Sequence, residues 1–327
     1  MPSSMTHAYF GMDVYEKLDD RIRDKIKDNI DDYKSFCQSH DVFYFYNFSG
    51  KLGKKMRQLG RVAHNHKTQD FFVKLITTIK ENKLENNGQV MAYLYGCINH
   101  YMLDTIVHPF VVYKTGIFNK NDKNTYKYNG LHYEMEFYID IYMIYQKEKV
   151  EASRYKGYKK IFNAKPFTKE LKELMDSTYK DVYNEENVSK YYYSALQKMK
   201  HFFRIYNYDS IGIKKIIYRA IDFFSTSRTK KVTPLSYYVP HKKKIHYLNL
   251  EKKQWSHPMV ESEFFDYSFF ELYIIAMAKA TKLIESVDEL LDNSKINEKE
   301  LKLLFKNVSY LTNKDCESKE KIQFFEF

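Results

Sequence analysis

The sequence is poor in residues that make turns. Glycine occurs 10 times and proline 6 times among 327 residues, whereas folds built of many short strands need such residues between the strands. No segment shows a clear alternation of apolar and polar residues, and apolar residues recur instead at helical spacing. The sequence therefore predicts an all-α fold, with a compact multi-helix domain over 1–292 and a helical and polar appendage over 293–327.

Cysteine is scarce as well, and long apolar runs are lacking. The three cysteines, Cys37, Cys97 and Cys316, are odd in number and far apart, which argues against a disulfide framework and fits a reducing compartment. The first residues lack the basic and apolar segments of a secretory signal. The longest apolar runs, such as 269–278, are too short to span a membrane. We therefore expect a cytoplasmic protein whose contact with membranes is at most peripheral.

Positive charge exceeds negative charge along the chain. Lys and Arg number 53 against 42 Asp and Glu, which gives a net charge of +11. Such an excess is found on ordinary solvated surfaces, but it also attracts phosphates and anionic membranes. The basic run HKKKIHYLNLEKK at 241–253 could serve that second purpose. No known nucleic-acid-binding motif accompanies it, so nucleic acid is not an expected partner.

The spacing of apolar residues also predicts where the helices lie. The segment 39–53, aromatic and then punctuated by glycine, predicts a loop, and so does the polar segment 115–130. The helix that starts near residue 89 is expected to end before Pro109, because proline disfavours helical backbone in the residue that precedes it. The other helices are expected near 7–18, 22–33, 67–82, 131–148, 168–181, 188–206, 210–226, 259–292 and 297–306.

One predicted helix carries residues that are typical metal ligands. In NHYMLDTIVHP, His100, Asp104 and His108 follow one another at steps of four, which places them along one face of a helix. The same stripe runs back through the small residues Gly96 and Ala92. We therefore expect one helix face to combine three candidate ligands with a surface for close helix packing.

A second pair of the same kind occurs further along the chain, where His132 and Glu136 are again four residues apart. A single His or a single pair is often only a hydrogen-bonded structural feature, but three such spacings are hard to attribute to chance. Imidazole with carboxylate and no thiolate is the ligand set of zinc, or less specifically of iron or manganese. More ligands than one ion needs indicate a catalytic centre with several metal ions.

Five segments, taken in order, resemble a known family. They are THAYFG (6–11), the pair His40–Asp41, GRVAHNHKT (60–68), NHYMLDTIVHP (99–109) and LHYEMEF (131–137). This set resembles the zinc-dependent phospholipase C family, of the phospholipase C/P1 nuclease type, closely over 1–140 and more loosely to the apolar segment 268–285. The resemblance implies an all-helical hydrolase of phosphodiesters with two to three Zn²⁺ ions per chain and a phospholipid substrate.

The resemblance also implies particular metal ligands. Those implied for one ion are Asp41, His64, His100 and Asp104. Those implied for a second ion are His108, His132 and Glu136. A third ion would take His7, with Asp104 as the bridging carboxylate, and in secreted members the free amino terminus completes that site. His66 is a second candidate at the position of His64.

Paired divalent ions suit phosphodiester hydrolysis, since they bind phosphate oxygens and lower the pKa of a bound water. A carboxylate near that water can act as general base. Asp41 is our candidate, because a loop carboxylate turns toward a substrate more freely than one in a helix, although Asp41 can also be a pure ligand. The aromatic residues at 43–46 would either line an apolar mouth and stack on a choline-like cation or pack in the core.

Two other functions compete with this one. A metal phosphohydrolase of the HD superfamily uses a His, a His-Asp pair and a later Asp, and His7, His40–Asp41 and Asp104 supply that order. It would act on nucleotides, but it leaves the ligands implied for the second ion unexplained. The other alternative is a non-catalytic, metal-binding protein that docks on anionic membranes.

Overall fold

The computed structural model describes residues 4–225 and 232–326, most of which are helical. The helices of these residues are α1 (Ser4–Tyr15), α2 (Asp20–Ile26), α3 (Ile30–Phe36), α4 (Gly50–Asn65), α5 (Thr68–Glu81), α6 (Gly88–Thr115), α7 (Leu131–Glu148), α8 (Gly157–Lys160), α9 (Lys169–Tyr183), α10 (Val188–Phe202), α11 (Ile213–Phe224), α12 (Phe269–Asp292) and α13 (Glu298–Leu304). The predicted all-α class is confirmed. None of the helices in the described residues is long and apolar enough to cross a membrane.

A small hairpin departs from the predicted helical pattern. Strands β1 (Trp255–His257) and β2 (Val260–Phe265) pair antiparallel, so the helix expected from residue 259 was predicted to start too early. The helix α12 begins only after Ser268, whose hydroxyl accepts from the backbone N–H of Glu271 while the Glu271 carboxylate accepts from the N–H of Ser268. This reciprocal pair satisfies two backbone donors and fixes where the helix starts.

The prediction of a loop over 39–53 is wrong. A short 3₁₀ helix occupies Ser39–Phe45, and α4 begins at Gly50. The aromatic residues explain the first part, because Phe43 is fully buried and packs edge-on against Tyr179 and Tyr192. The helix α4 was not anticipated from the sequence at all.

Pro109 does not end the helix that contains it. The helix α6 continues through this proline to Thr115, and its first backbone N–H groups are accepted by the side chain of Asn87. A proline inside a helix costs about 3 kcal/mol. Nearly every residue of α6 is buried, so the packing of this central helix against α1, α3, α7 and α12 offsets that cost.

The stripe of small residues on α6 does serve close packing, as the sequence predicted. A Cβ atom on Gly96 would lie 2.7 Å from the backbone carbonyl carbon of Phe36. Only glycine leaves room for α3 at this distance. The close approach holds α3, and the 3₁₀ helix that follows it, against α6.

The last part of the chain packs on the first part. The helix α13 contacts α5, and Tyr310 is buried. The backbone N–H of Glu326 donates to the carbonyl oxygen of Tyr113 at 3.0 Å. The boundary drawn at residue 292 stays a prediction, but the residues beyond it are in contact with the helices that carry the candidate ligands.

Candidate metal centre

The stripe on α6 forms the middle of the site. His100, Asp104 and His108 are buried on this helix. One oxygen of Asp104, Oδ1, lies 3.2 Å from His7 Nε2. Its other oxygen, Oδ2, lies 3.3 Å from His100 Nε2 and 3.6 Å from His108 Nδ1. Asp104 is therefore placed to bridge ions that lie on both sides of it.

The helix α1 brings His7 to this carboxylate, and α7 holds α1 in place. Asp140 on α7 accepts hydrogen bonds from the backbone N–H groups of Met5 (3.0 Å) and Thr6 (2.7 Å). A carboxylate that accepts the first N–H groups of a helix caps it and favours its dipole. The ring of His7 then stacks on that of His100 with centroids 4.3 Å apart.

The helix α4 and the 3₁₀ helix Ser39–Phe45 contribute His64 and Asp41 to the first cluster, which also contains His7, His100 and Asp104. His64 Nε2 lies 3.0 Å from Asp41 Oδ1 and 3.2 Å from His100 Nε2. His66, the other candidate at this position, is exposed at the end of α4. The structure thus brings His64, and not His66, to the other candidate ligands.

Backbone carbonyl groups set the orientation of the imidazole rings. The Nδ1–H of His64 donates to the Gly60 carbonyl at 2.6 Å, and the Nδ1–H of His100 donates to the Cys37 carbonyl at 3.1 Å. Since a carbonyl can only accept, each ring carries its proton on Nδ1 and presents the lone pair of Nε2. This is the arrangement in which metal-binding histidines are usually held.

The second cluster joins α6 to α7. His132 Nε2 lies 2.8 Å from Glu136 Oε1, and His108 Nε2 lies 3.4 Å from the same oxygen. The Nδ1–H of His108 donates to the carbonyl oxygen of Tyr310 at 3.1 Å. His132 and Glu136 lie together as their spacing in the sequence predicted, and His108 joins them as the resemblance implied.

The residues present fit a set of divalent cations. Ligand atoms within 4.8 Å of one another form three groups in the described residues, and together these contain all eight predicted ligands: His7, Asp41 and His100; His64, His100 and Asp104; His108, His132 and Glu136. Both oxygens of Asp104, both nitrogens of His7 and Oδ1 of Asp41 are buried and have no hydrogen-bond partner among residues 4–225 and 232–326. Buried polar atoms of this kind are strongly unfavourable unless they share a cation. The donor set of nitrogen and oxygen suits zinc.

Electrostatics favours the protonation states that bind metal. Burial by itself would raise the pKa of Asp104, but the neighbouring imidazoles of His108, His100 and His7 hold it well below its usual range. Burial likewise raises the pKa of Glu136, and His132 and His108 outweigh it and lower that pKa. Burial lowers the pKa of His100 and of His108. For these four ligands the shifts favour an ionised carboxylate or a neutral imidazole. His64 differs, because burial lowers its pKa but the hydrogen bond and charge of Asp41 outweigh burial and raise it.

A cavity of about 590 Å³ opens onto both clusters. Its wall includes five of the predicted ligands, and the arginines Arg57 and Arg61 also line it. Of the aromatic residues at 43–46, Tyr44 and Phe45 line the cavity, whereas Phe43 lies in the core. The remaining lining residues are mostly apolar or aromatic: Phe48, Tyr133, Phe137, Phe202, Phe203, Tyr310 and Leu311, with Ser4 and Asn65.

Sequence reasoning missed two residues that support the site. Asp140 follows His132 and Glu136 at the same step of four, so the stripe on α7 was a readable signal. Tyr310 packs its ring against His64 and accepts from His108 through its backbone. No local pattern marks Tyr310, because its partners lie more than 200 residues earlier in the sequence.

One predicted feature does not join the clusters in the described residues, and another lies outside those residues. His40 belongs to none of the ligand groups in the described residues, and its Nδ1 bonds the hydroxyl of Tyr179 at 2.8 Å. The HD-type pattern needs His40 as well as Asp41, so the geometry does not favour it. Met1, which would supply the amino terminus of the third site, lies outside the described residues.

Comparison with protein families gives one result. A family model described as zinc-dependent phospholipase C matches residues 6–188, which is more than half of the 327 residues. No curated protein and no solved structure matches the chain. The matched residues contain all eight predicted ligands as well as Asp140. The chain belongs to the zinc-dependent phospholipase C family.

Proposed function

We propose that this chain hydrolyses glycerophospholipids in the manner of a phospholipase C. The bond between phosphorus and the glycerol oxygen breaks, and diacylglycerol and a phosphorylated headgroup are released. One observation carries the proposal: two clusters of candidate ligands face one cavity whose other lining residues are mostly apolar or aromatic. A site of this kind suits a substrate with a phosphodiester beside acyl chains.

Zinc ions bound at the two clusters would supply positive charge to the phosphodiester and acidify a water for attack on phosphorus. The chain itself has to accept the proton of that water. Asp41 lines the cavity, and its Oδ1 lies 3.0 Å from His64 Nε2, which leaves Oδ2 for the proton. Its position on the cavity wall supports this role, whereas the argument from loop mobility fails because Asp41 lies in a 3₁₀ helix.

Other cavity residues suit the rest of the substrate. Arg57 and Arg61 present guanidinium groups, which bind phosphate oxygens with two hydrogen bonds each. The rings of Tyr44 and Tyr133 could stack on a quaternary ammonium headgroup. The apolar side chains of Phe45 and Phe137 would contact the diacylglycerol part.

The direct test measures diacylglycerol released from phosphatidylcholine, phosphatidylethanolamine and phosphatidylglycerol in mixed micelles by the zinc-loaded chain. Asp41→Asn is expected to lower kcat by about 100-fold or more with its zinc content unchanged. Loss of zinc together with activity would make Asp41 a pure ligand. Asp70→Asn, an exposed change on α5, is the matched control.

Two results would overturn the proposal. Hydrolysis of nucleotides but of no lipid would favour the HD-type alternative. Bound zinc with no turnover of any phosphodiester would favour the non-catalytic alternative. Peripheral contact with anionic membranes and a cytoplasmic location also belong to this proposal, and the net charge of +11 supports the former.

A further inference from the structure

The helix α11 turns its apolar face away from the protein. At about 100° per residue, Ile213, Ile216, Ile217, Ile221 and Phe224 fall on one side of the helix. Ile216 is 70% exposed and Phe224 is 80% exposed. Tyr218, on the opposite side, is the only buried residue of α11. A surface helix normally buries its apolar stripe in the core, and this one does not.

Polar contacts fix the helix in this orientation. The side chain of Asp209 accepts from the backbone N–H groups of Gly212 (3.0 Å) and Lys214 (2.8 Å), at the start of α11. The hydroxyl of Tyr218 donates to the carbonyl oxygen of Tyr206 at 3.2 Å. Lys214 Nζ donates to the carbonyl oxygen of Tyr208 at 2.8 Å. The bond from Tyr218, on the side opposite the isoleucines, and the bonds at the start of the helix hold the apolar side outward.

A cation lies at the edge of the apolar face. At about 100° per residue, Arg219 is about 60° from Ile216. Arg219 lines a surface cavity together with the exposed Lys243, which belongs to the basic run noted in the sequence. Asp222 and Glu134 also line this cavity, and Glu134 pairs with Lys244 at 2.6 Å. An apolar face with a cationic border matches the interface of an anionic bilayer, where acyl chains lie beneath negatively charged headgroups.

Aromatic side chains connect the segment before α11 to the cavity. The ring of Tyr206 stacks on Phe202, with centroids 4.7 Å apart. Phe202 in turn contacts Phe48, at 6.1 Å, and both line the cavity. Phe48 is 67% exposed. The cavity therefore shares an aromatic surface with the residues next to α11.

We propose that α11 is the element by which this chain docks on an anionic lipid bilayer. Its isoleucines and Phe224 enter the boundary between headgroups and acyl chains, while Arg219 and Lys243 meet lipid phosphates. Docking holds the cavity at the lipid surface. This consequence of docking rests on the proposed function, the hydrolysis of glycerophospholipids. A second copy of the chain is a poorer occupant of the face, because it would bring the same cations together.

The test is sedimentation of the zinc-loaded chain with large unilamellar vesicles of phosphatidylglycerol and phosphatidylcholine. Ile216→Gln with Phe224→Gln is expected to weaken partitioning at least about tenfold. Arg219→Gln is expected to weaken it about fivefold, with little effect on vesicles of phosphatidylcholine alone. The matched control is Ile274→Gln on α12, where the isoleucine is 57% exposed, and its partitioning should equal that of the unsubstituted chain.

Hydrolysis of a water-soluble phosphodiester separates docking from catalysis, because no residue of α11 lines the catalytic cavity. This activity should be the same in the α11 variants and in the unsubstituted chain. Vesicle binding that depends on α11, with no hydrolysis of any phosphodiester, would support docking and overturn the proposed function.

Three results would overturn docking. In the first, the unsubstituted chain does not sediment with the anionic vesicles. In the second, the α11 variants sediment as much as the control does. In the third, the chain binds no vesicles but forms a dimer that Ile216→Gln dissociates. The last would make the face a contact between two copies.

Discussion

Asp140 accepts two hydrogen bonds from Thr6, one from its backbone N–H at 2.7 Å and one from its hydroxyl at 2.6 Å. Thr6 immediately precedes His7, and Asp140 lies one helical turn after Glu136. The helix that carries part of one ligand cluster therefore also fixes the helix that carries a ligand of the other. Contacts of this kind keep candidate ligands in a single arrangement.

Asp140→Ala is expected to lower the free energy of unfolding by about 2–3 kcal/mol, because buried N–H groups of Met5 and Thr6 lose a charged acceptor. Urea denaturation measures the change. Thr6→Val is the control, since it removes only the hydroxyl, and it should cost about 1 kcal/mol. If the two variants lost the same free energy of unfolding, the Asp140 carboxylate would contribute little beyond its bond to the Thr6 hydroxyl.

Zinc content distinguishes the ligand clusters from the HD-type pattern. His132→Ala removes one of three ligands from the second cluster, so it should lower the zinc content by about one ion per chain. His40→Asn should leave the content unchanged, because His40 bonds Tyr179 and joins no ligand group in the described residues. Elemental analysis of chains purified without an affinity tag that binds metal makes the measurement. The reverse result would restore the HD-type alternative.

The helical stripes of the site could be predicted from the sequence because they are local. Residues four apart on a helix are neighbours whatever the rest of the fold does, so His100, Asp104 and His108 were readable, and so were His132 and Glu136. The meeting of the two stripes followed from the resemblance to the family. Neither the helical spacing nor the resemblance indicated which carbonyl groups orient the imidazole rings, because those contacts depend on packing between distant segments.

What the sequence did not indicate has the same cause. The helix predicted near 210–226 is present as α11, but periodicity shows only that a helix is amphipathic and does not indicate what covers its apolar face. Pro109 disfavours a helix locally, and burial of α6 overrides that preference. The aromatic segment 39–45 lacks helical spacing, but its side chains are held by Tyr179 and Tyr192, which lie far along the chain.

Tyr310 is expected to be important for both stability and metal binding. Its ring packs on His64 and Tyr101 in the core of the site, so Tyr310→Ala should lower the free energy of unfolding by about 3–5 kcal/mol. The space left by the missing ring would also loosen the backbone carbonyl that orients His108, and zinc binding would weaken. Leu303→Ala, a change at an exposed residue of α13, is the control. A chain with Tyr310→Ala that keeps its stability and its zinc would show that 293–327 is an independent appendage.

Removal of metal should destabilise the whole chain, because α1, α4, α6, α7 and the 3₁₀ helix at 39–45 all contribute ligands. Without cations, both oxygens of Asp104 and Oδ1 of Asp41 are buried and accept no hydrogen bond from the described residues. Ions bound at concentrations far above their Kd stabilise the native state by several kcal/mol, so chelation should lower Tm by at least about 5 °C. Scanning calorimetry before and after dialysis against a chelator measures the shift. The Tm of the His132→Ala variant should fall less on chelation, because this variant begins with fewer ions. An unchanged Tm in the unsubstituted chain would mean that the clusters are stable without metal.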